Sequence, residues 1–155
     1  MSNAGTRAER ALCRAFDEAG WIVLRAPASG SATTRELPDV LVGKRDRGVL
    51  AIEAKYSSED RIYLRREQVE GLQAVAKHFC GYALIAAQWR GERTMYAFSA
   101  EPEGTARSYR FGIKRAERVS EKSFRVHRDD VDDTLVLAQY DNDADDGEEP
   151  WRIRI

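Results

Sequence analysis

Three side chains in this sequence have the types and spacing for phosphoryl chemistry: Asp39, Glu53 and Lys55. They occur in Leu37-Pro38-Asp39-Val40-Leu41-Val42-Gly43 and, beyond the polar connection Lys44-Arg45-Asp46-Arg47-Gly48, in Val49-Leu50-Ala51-Ile52-Glu53-Ala54-Lys55. Two apolar runs joined by a short polar turn predict a β-hairpin. Side chains alternate across a strand, so Glu53 and Lys55 share one face and Ala54 takes the other. A strand with Val49, Leu50 and Ile52 expects a core beside it, where isolated charges are costly unless they pair or hold a metal. Two carboxylates and a lysine at the mouth of a hairpin suit a magnesium ion that holds a phosphate. The alternative is a surface hairpin in which Glu53 and Lys55 merely pair.

The elements that must position these residues are legible over the first two thirds of the chain. Residues 6–19 predict a helix with Leu12, Ala15, Phe16 and Ala19 as its apolar stripe and Gly20 as its stop. Trp21-Ile22-Val23-Leu24-Arg25 predicts a strand, followed by the small-residue loop 27–34. After the hairpin, residues 65–79 predict a second helix through Val69, Leu72, Ala76 and Phe79. Tyr82–Ala87 and Met95–Ser99 predict two further strands. The order argues for a mixed sheet flanked by helices. Beyond Ala100 the pattern weakens, although Trp151-Arg152-Ile153-Arg154-Ile155 alternates like an edge strand. Glu9 has two readings. Thr6-Arg7-Ala8-Glu9 fits a helix capping box, yet Glu9 also leans toward the buried stripe, where a third acid could complete a metal shell.

At 155 residues the chain is expected to form one domain. No apolar run approaches the roughly 20 residues that span a bilayer, and residues near the start lack a hydrophobic signal-type stretch. Cys13 and Cys80 have no C-x-x-C arrangement, which argues against structural zinc, and both are expected in the core of a cytoplasmic protein. The overall charge of −1 conceals an asymmetry. Residues 129–149 hold ten acids and no Lys or Arg, whereas residues 1–128 hold 23 basic and 16 acidic side chains, a net of +7. A basic body with an acidic segment suits a protein that binds a polyanion. The acidic segment itself reads as solvated and partly disordered.

Pro-Asp, thirteen residues, then Glu-x-Lys resembles the core motif of the PD-(D/E)xK nuclease superfamily. Longer runs narrow the resemblance. Gly5-Thr6-Arg7-Ala8-Glu9-Arg10, Arg25-Ala26-Pro27-Ala28-Ser29-Gly30-Ser31, Pro38-Asp39, Ile52-Glu53-Ala54-Lys55 and Tyr63-Leu64-Arg65-Arg66-Glu67-Gln68-Val69-Glu70-Gly71-Leu72 together look like the archaeal Holliday junction resolvases. The match runs from residue 5 to about residue 98. It implies an α/β, restriction-endonuclease-like fold with a nuclease core over 1–104. Residues 105–155 would form a C-terminal extension, part of the same domain, that departs from the family.

The resemblance implies a structure-selective endonuclease that resolves four-way DNA junctions in recombination and repair, with Mg2+ as cofactor and Mn2+ as its substitute. Other nucleases of the superfamily acting on duplex or flap DNA, and a non-cutting binder of branched DNA, are the competing readings. Asp39, Glu53, Glu9 and the carbonyl of Ala54 are the implied metal ligands, and Lys55 the residue that orients water. Ser29 and Gln68 are implied to support the scissile region. Arg7, Arg10, Arg25, Arg35, Arg65 and Arg66 are the expected phosphate contacts, which position DNA without reading its sequence. A four-way junction has two-fold symmetry, so a homodimer with two sites fits it.

Overall fold

The computed structural model describes residues 4–26, 35–102 and 114–155. Helix α1 (Ala4–Glu18) buries Ala11, Leu12, Ala15 and Phe16, the side chains that helical periodicity places on one stripe. Its chain reverses at Gly20, whose φ of 88° lies where a side chain would be strained. Trp21 then packs edge-on against Phe16 at 5.2 Å and ties the helix end to the next strand. The strands are β1 (Ile22–Arg25), β2 (Val40–Lys44), β3 (Gly48–Ser57) and β4 (Arg61–Arg65), followed by helix α2 (Arg66–His78). β5 (Tyr82–Trp89), β6 (Thr94–Ser99), β7 (Glu117–Arg118), β8 (Ser123–His127), β9 (Leu135–Tyr140) and β10 (Trp151–Ile153) complete the order.

Among the described residues, seven strands form one sheet in the order β1-β2-β3-β5-β6-β9-β10, and β4-β8-β7 form a small second sheet. β3 pairs with β5 in parallel; the other pairings in the main sheet are antiparallel. A parallel pair needs a crossover, and α2 supplies it. The main sheet therefore has two buried faces. Val40, Val42, Leu50, Ile52 and Leu84 join the stripe of α1 in one cluster. Ala51, Ala83, Ile85, Ala87 and Phe98 meet Val69, Leu72 and Ala76 of α2 in the other. Burial on both faces explains why β5 reads as an unbroken apolar run rather than an alternating one.

The chain differs from its sequence-based expectations in four places. β4 and β7–β9 have no counterpart in the expected order: β4, β7 and β8 are short or carry Arg that dilutes the alternation, whereas β9 holds the plain apolar run Leu135-Val136-Leu137-Ala138, passed over between two acidic stretches. α1 begins by Ala4, so Glu9 lies well inside the helix and cannot be the third residue of a capping box opened by Thr6. Cys80 is exposed rather than in the core, because it follows the end of α2 at a positive φ of 53°. The acidic stretch 141–149 is the connection between β9 and β10 rather than a loose tail, tied down by Asp141 N–H to the Pro150 carbonyl at 2.6 Å and by several ion pairs. No helix of the described residues is long and apolar enough to cross a membrane.

Candidate active site

Strand register explains the spacing of the two acids. β2 and β3 pair with Val40 opposite Ile52 and Lys44 opposite Gly48. Continued by one residue, that register sets Asp39 opposite Glu53, so a hairpin with this turn needs thirteen residues between them. Asp39 is locked at the strand's entry. Its carbonyl accepts from Ala26 N–H at 3.0 Å, and its Oδ2 accepts from Ala54 N–H at 2.9 Å.

Glu53 is only 6 % exposed. Lys55, two residues on and on the same face, brings Nζ to 3.8 Å from Glu53 Oε1. Gln68, at the start of α2, donates from Nε2 to that same Oε1 at 3.2 Å, while its Oε1 accepts from Arg65 N–H at 3.0 Å. The two contacts fix the amide's orientation. Gln68 thus joins the first turn of α2 to β3, and is not a simple exposed helix position. The close fit continues at Gly71, where a Cβ would come within 2.4 Å of the Glu36 carbonyl, three residues before Asp39.

The electrostatics of the pair are those of an anionic site whose close cation, Lys55, does not offset burial and mutual repulsion. Burial, then repulsion by Asp39, push the Glu53 carboxyl up to about 8, against the pull of Lys55. Burial also lifts Asp39 above its ordinary range, with the Ala54 N–H opposing and the charge of Glu9 adding to the rise. A donor set of two carboxylates, Glu53 buried and Asp39 partly buried, each destabilised by desolvation and by a neighbouring negative charge, fits a divalent cation with hard oxygen preference.

The structure does not gather every expected site residue. Glu9 lies close enough for its charge to be felt at Asp39, but its Oε1 is turned to Arg25 Nε at 2.6 Å. Among the described residues no three acidic, His or Cys groups are gathered closely enough to hold a metal ion. Ser29 lies outside the described residues. Arg25 is occupied by Glu9, Arg65 by Glu36 at 2.7 Å, and Arg66 by Glu70 at 3.5 Å and the Glu121 carbonyl at 3.3 Å. Arg35 is exposed beside the segment that is not described, and Arg7 and Arg10 are exposed on α1. Sequence reasoning passes over Arg14, although Arg7, Arg10 and Arg14 have the spacing of one helix face.

A mixed sheet between two helices, with a Pro-Asp/Glu-x-Lys constellation at its hairpin, defines the restriction-endonuclease-like class of α/β folds. The sequence pattern of the archaeal Holliday junction resolvases (Hjc) matches residues 1–131, and the chain belongs to that family. It is 34 % identical over 90 residues to the crossover junction endodeoxyribonuclease Hjc of Sulfolobus acidocaldarius, covering 57 % of this chain and 63 % of that one. The Archaeoglobus fulgidus protein of the same name is 36 % identical over 86 residues, covering 56 % and 62 %. These alignments span about three fifths of the curated relatives' lengths. The solved structure of Archaeoglobus fulgidus Hjc, a Holliday junction resolvase from an archaeal hyperthermophile, superposes with a TM-score of 0.66 at 27 % identity. That likeness covers 86 % of this chain and 96 % of the other.

Proposed function

We propose that this chain is a structure-selective endonuclease that cuts four-way DNA junctions by magnesium-dependent phosphodiester hydrolysis. The observation that carries the reading is the Asp39–Glu53 pair, with Glu53 buried and Lys55 beside it, in a chain of the resolvase family. Asp39, Glu53 and the Ala54 carbonyl would hold the cation, with Mn2+ able to replace Mg2+ in the same oxygen set. When bound, the cation supplies polarisation of the scissile phosphate and stabilisation of the leaving oxygen.

The chain's own residues do the rest. Lys55 orients the attacking water and stabilises its deprotonated form, held near the site by Glu53. Gln68 keeps Glu53 in one rotamer, so its carboxylate does not reorganise during the reaction. Glu9, now paired with Arg25, would be released to help hold the cation if a DNA phosphate took up the arginine. Arg7, Arg10, Arg25, Arg35, Arg65 and Arg66 contact the backbone, and those now paired with Glu9, Glu36 and Glu70 exchange a carboxylate for a phosphate.

The partner set is a four-way junction and a second copy of the chain. Ile22 and Leu24 of the edge strand β1 are 71 % and 60 % exposed, and Phe79 at the end of α2 is exposed as well. An exposed apolar edge is a liability unless covered, and a two-fold contact there would present two sites to a symmetric substrate. An enzyme acting on cellular DNA would work in the cytoplasm.

One gel tests the reading, with a four-way junction beside linear duplex of the same sequence, each with magnesium or with chelator. Cleavage of the junction alone, and only with magnesium, is the expected result. Equal cleavage of duplex would favour another nuclease of the superfamily. Junction binding without cleavage would leave a branched-DNA-binding protein.

A further inference from the structure

A groove of about 440 Å³ runs beside α1, on the flank away from Glu9 and Arg25. Arg7, Arg10 and Arg14 line one wall, Tyr56 and Gln88 line the other, and Glu149 closes an end. The wall is basic because positions i, i+3 and i+7 fall on one helix face. Tyr56 and Gln88 are register partners on β3 and β5, one residue beyond Lys55 and its partner Ala87. Ala54 packs against the α1 cluster, so alternation puts Tyr56 on the α1 face while Lys55 points to the other. The groove therefore opens at the same end of the strands as the catalytic constellation.

Its charge is arranged for an outside anion. Arg7 and Arg10 make no ion pair among the described residues. Arg14 donates from Nε to Glu149 Oε2 at 2.8 Å, yet its side chain is 69 % exposed against 4 % for Glu149. The pair is lopsided. The carboxylate is the fixed member, accepting from Trp151 N–H at 3.3 Å, while Glu149 N–H donates to Glu18 at 3.1 Å. The arginine is held by one edge and keeps its terminal nitrogens for another acceptor, the fork geometry that suits phosphate. From Arg7 to Arg14 the helix rises about 10 Å, roughly the axial rise of three base steps of duplex DNA.

We propose that this groove binds the sugar–phosphate backbone of a junction arm beyond the scissile site, with Arg14 as a phosphate contact and Glu149 as the residue that positions it. The inference rests on the junction-nuclease reading and extends it to a surface on the other side of α1. It gives the acidic β9–β10 connection a role on a DNA-binding protein: its buried carboxylate anchors an arginine, while Asp141 and Glu148 are paired with Arg152.

The test is binding of the full chain to a four-way junction in chelator over a range of salt, with wild-type cleavage in magnesium run in parallel. Arg7→Gln and Arg14→Gln are each expected to weaken low-salt binding roughly tenfold and to flatten the slope of log affinity against log salt by about one unit per groove engaged. Arg45→Gln, in the turn at the far end of the hairpin, removes the same charge and is expected to change neither. An unaltered slope for a folded Arg7→Gln variant, or an equal loss for Arg45→Gln, would overturn the groove. Arg7 has no ion-pair partner among the described residues, so it decides the matter even where Arg14→Gln unfolds. Wild-type protein that neither binds nor cuts the junction would sink the underlying reading instead; wild-type activity with unchanged arginine variants sinks the groove, and with it Arg7 as a backbone contact, but leaves the nuclease reading standing.

Discussion

Glu53→Gln is expected to stabilise the metal-free protein while abolishing its chemistry. The Glu53 carboxyl stands at about 8 in the folded chain against an ordinary 4.5. Folding near pH 7 must therefore protonate a group that is ionised in the unfolded chain, at a cost of about 3 kcal/mol. Glutamine bears no such cost, and it reproduces the protonated acid: its oxygen accepts from Gln68, and its amide donates toward Asp39. The attraction of Lys55 is already contained in the shifted value.

The sign follows from the direction of the shift. With the folded value above the unfolded one, the stability tied to this group is complete below about pH 4.5 and is lost as pH rises through about 8. The advantage of the glutamine variant therefore grows over that window, from under about 1 kcal/mol near pH 5 to about 3 kcal/mol near pH 7. For a chain of this size the latter corresponds to roughly 6–12 °C in melting temperature. Thermal melts in chelator at several pH values measure it directly. Adding magnesium should raise the wild-type melt and leave the variant's unchanged, because only the wild type keeps both carboxylates. A variant that melts with wild type at every pH, or whose advantage grows toward acid, would refute the reasoning.

Glu9→Gln should fold and bind junctions but cut them poorly in magnesium; wild-type single-turnover rates would remove Glu9 from the site. Gly71→Ala should lose stability and cleavage together despite alanine's better helix propensity, since its Cβ would sit 2.4 Å from the Glu36 carbonyl. A melt at or above wild type would show that α2 yields there at no cost. Trp151→Ala should cost about 3 kcal/mol or more, because its ring is 8 % exposed and packs edge-on against Tyr140 at 5.4 Å. An unchanged melt would make the C-terminal strand dispensable.

The parts legible in the sequence were those where one physical signal dominated. The β2–β3 hairpin and the α1 stripe follow from alternation and helical period, and the hairpin alone set Glu53 and Lys55 on one face. Gln68 could be named from the motif, but its two hydrogen bonds depend on where α2 lands relative to β3, which no local pattern encodes. β4 and β8 were hidden because Arg61, Tyr63, Arg65 and Arg125 dilute the apolar alternation that Ile62, Leu64 and Val126 carry. The acidic connection misled for a related reason. Its composition predicts a solvated chain, yet Glu149 is buried against Arg14, a partner 135 residues away. Glu9 pairs with Arg25 across 16 residues, a contact between α1 and β1 that no local pattern encodes.

The central claim is that the Asp39–Glu53 pair holds the metal that cuts the junction, and separating binding from cleavage at Asp39 tests it most directly. A four-way junction preassembled with excess protein is followed under single-turnover conditions in magnesium, for wild type and Asp39→Asn, with junction affinity measured in chelator. The amide keeps the size of the side chain and an oxygen to accept from Ala54 N–H, while the dispersed arginines carry most of the affinity. Loss of cleavage with near wild-type affinity is the expected result. Retained cleavage, or binding and cleavage lost together from a folded protein, would contradict it.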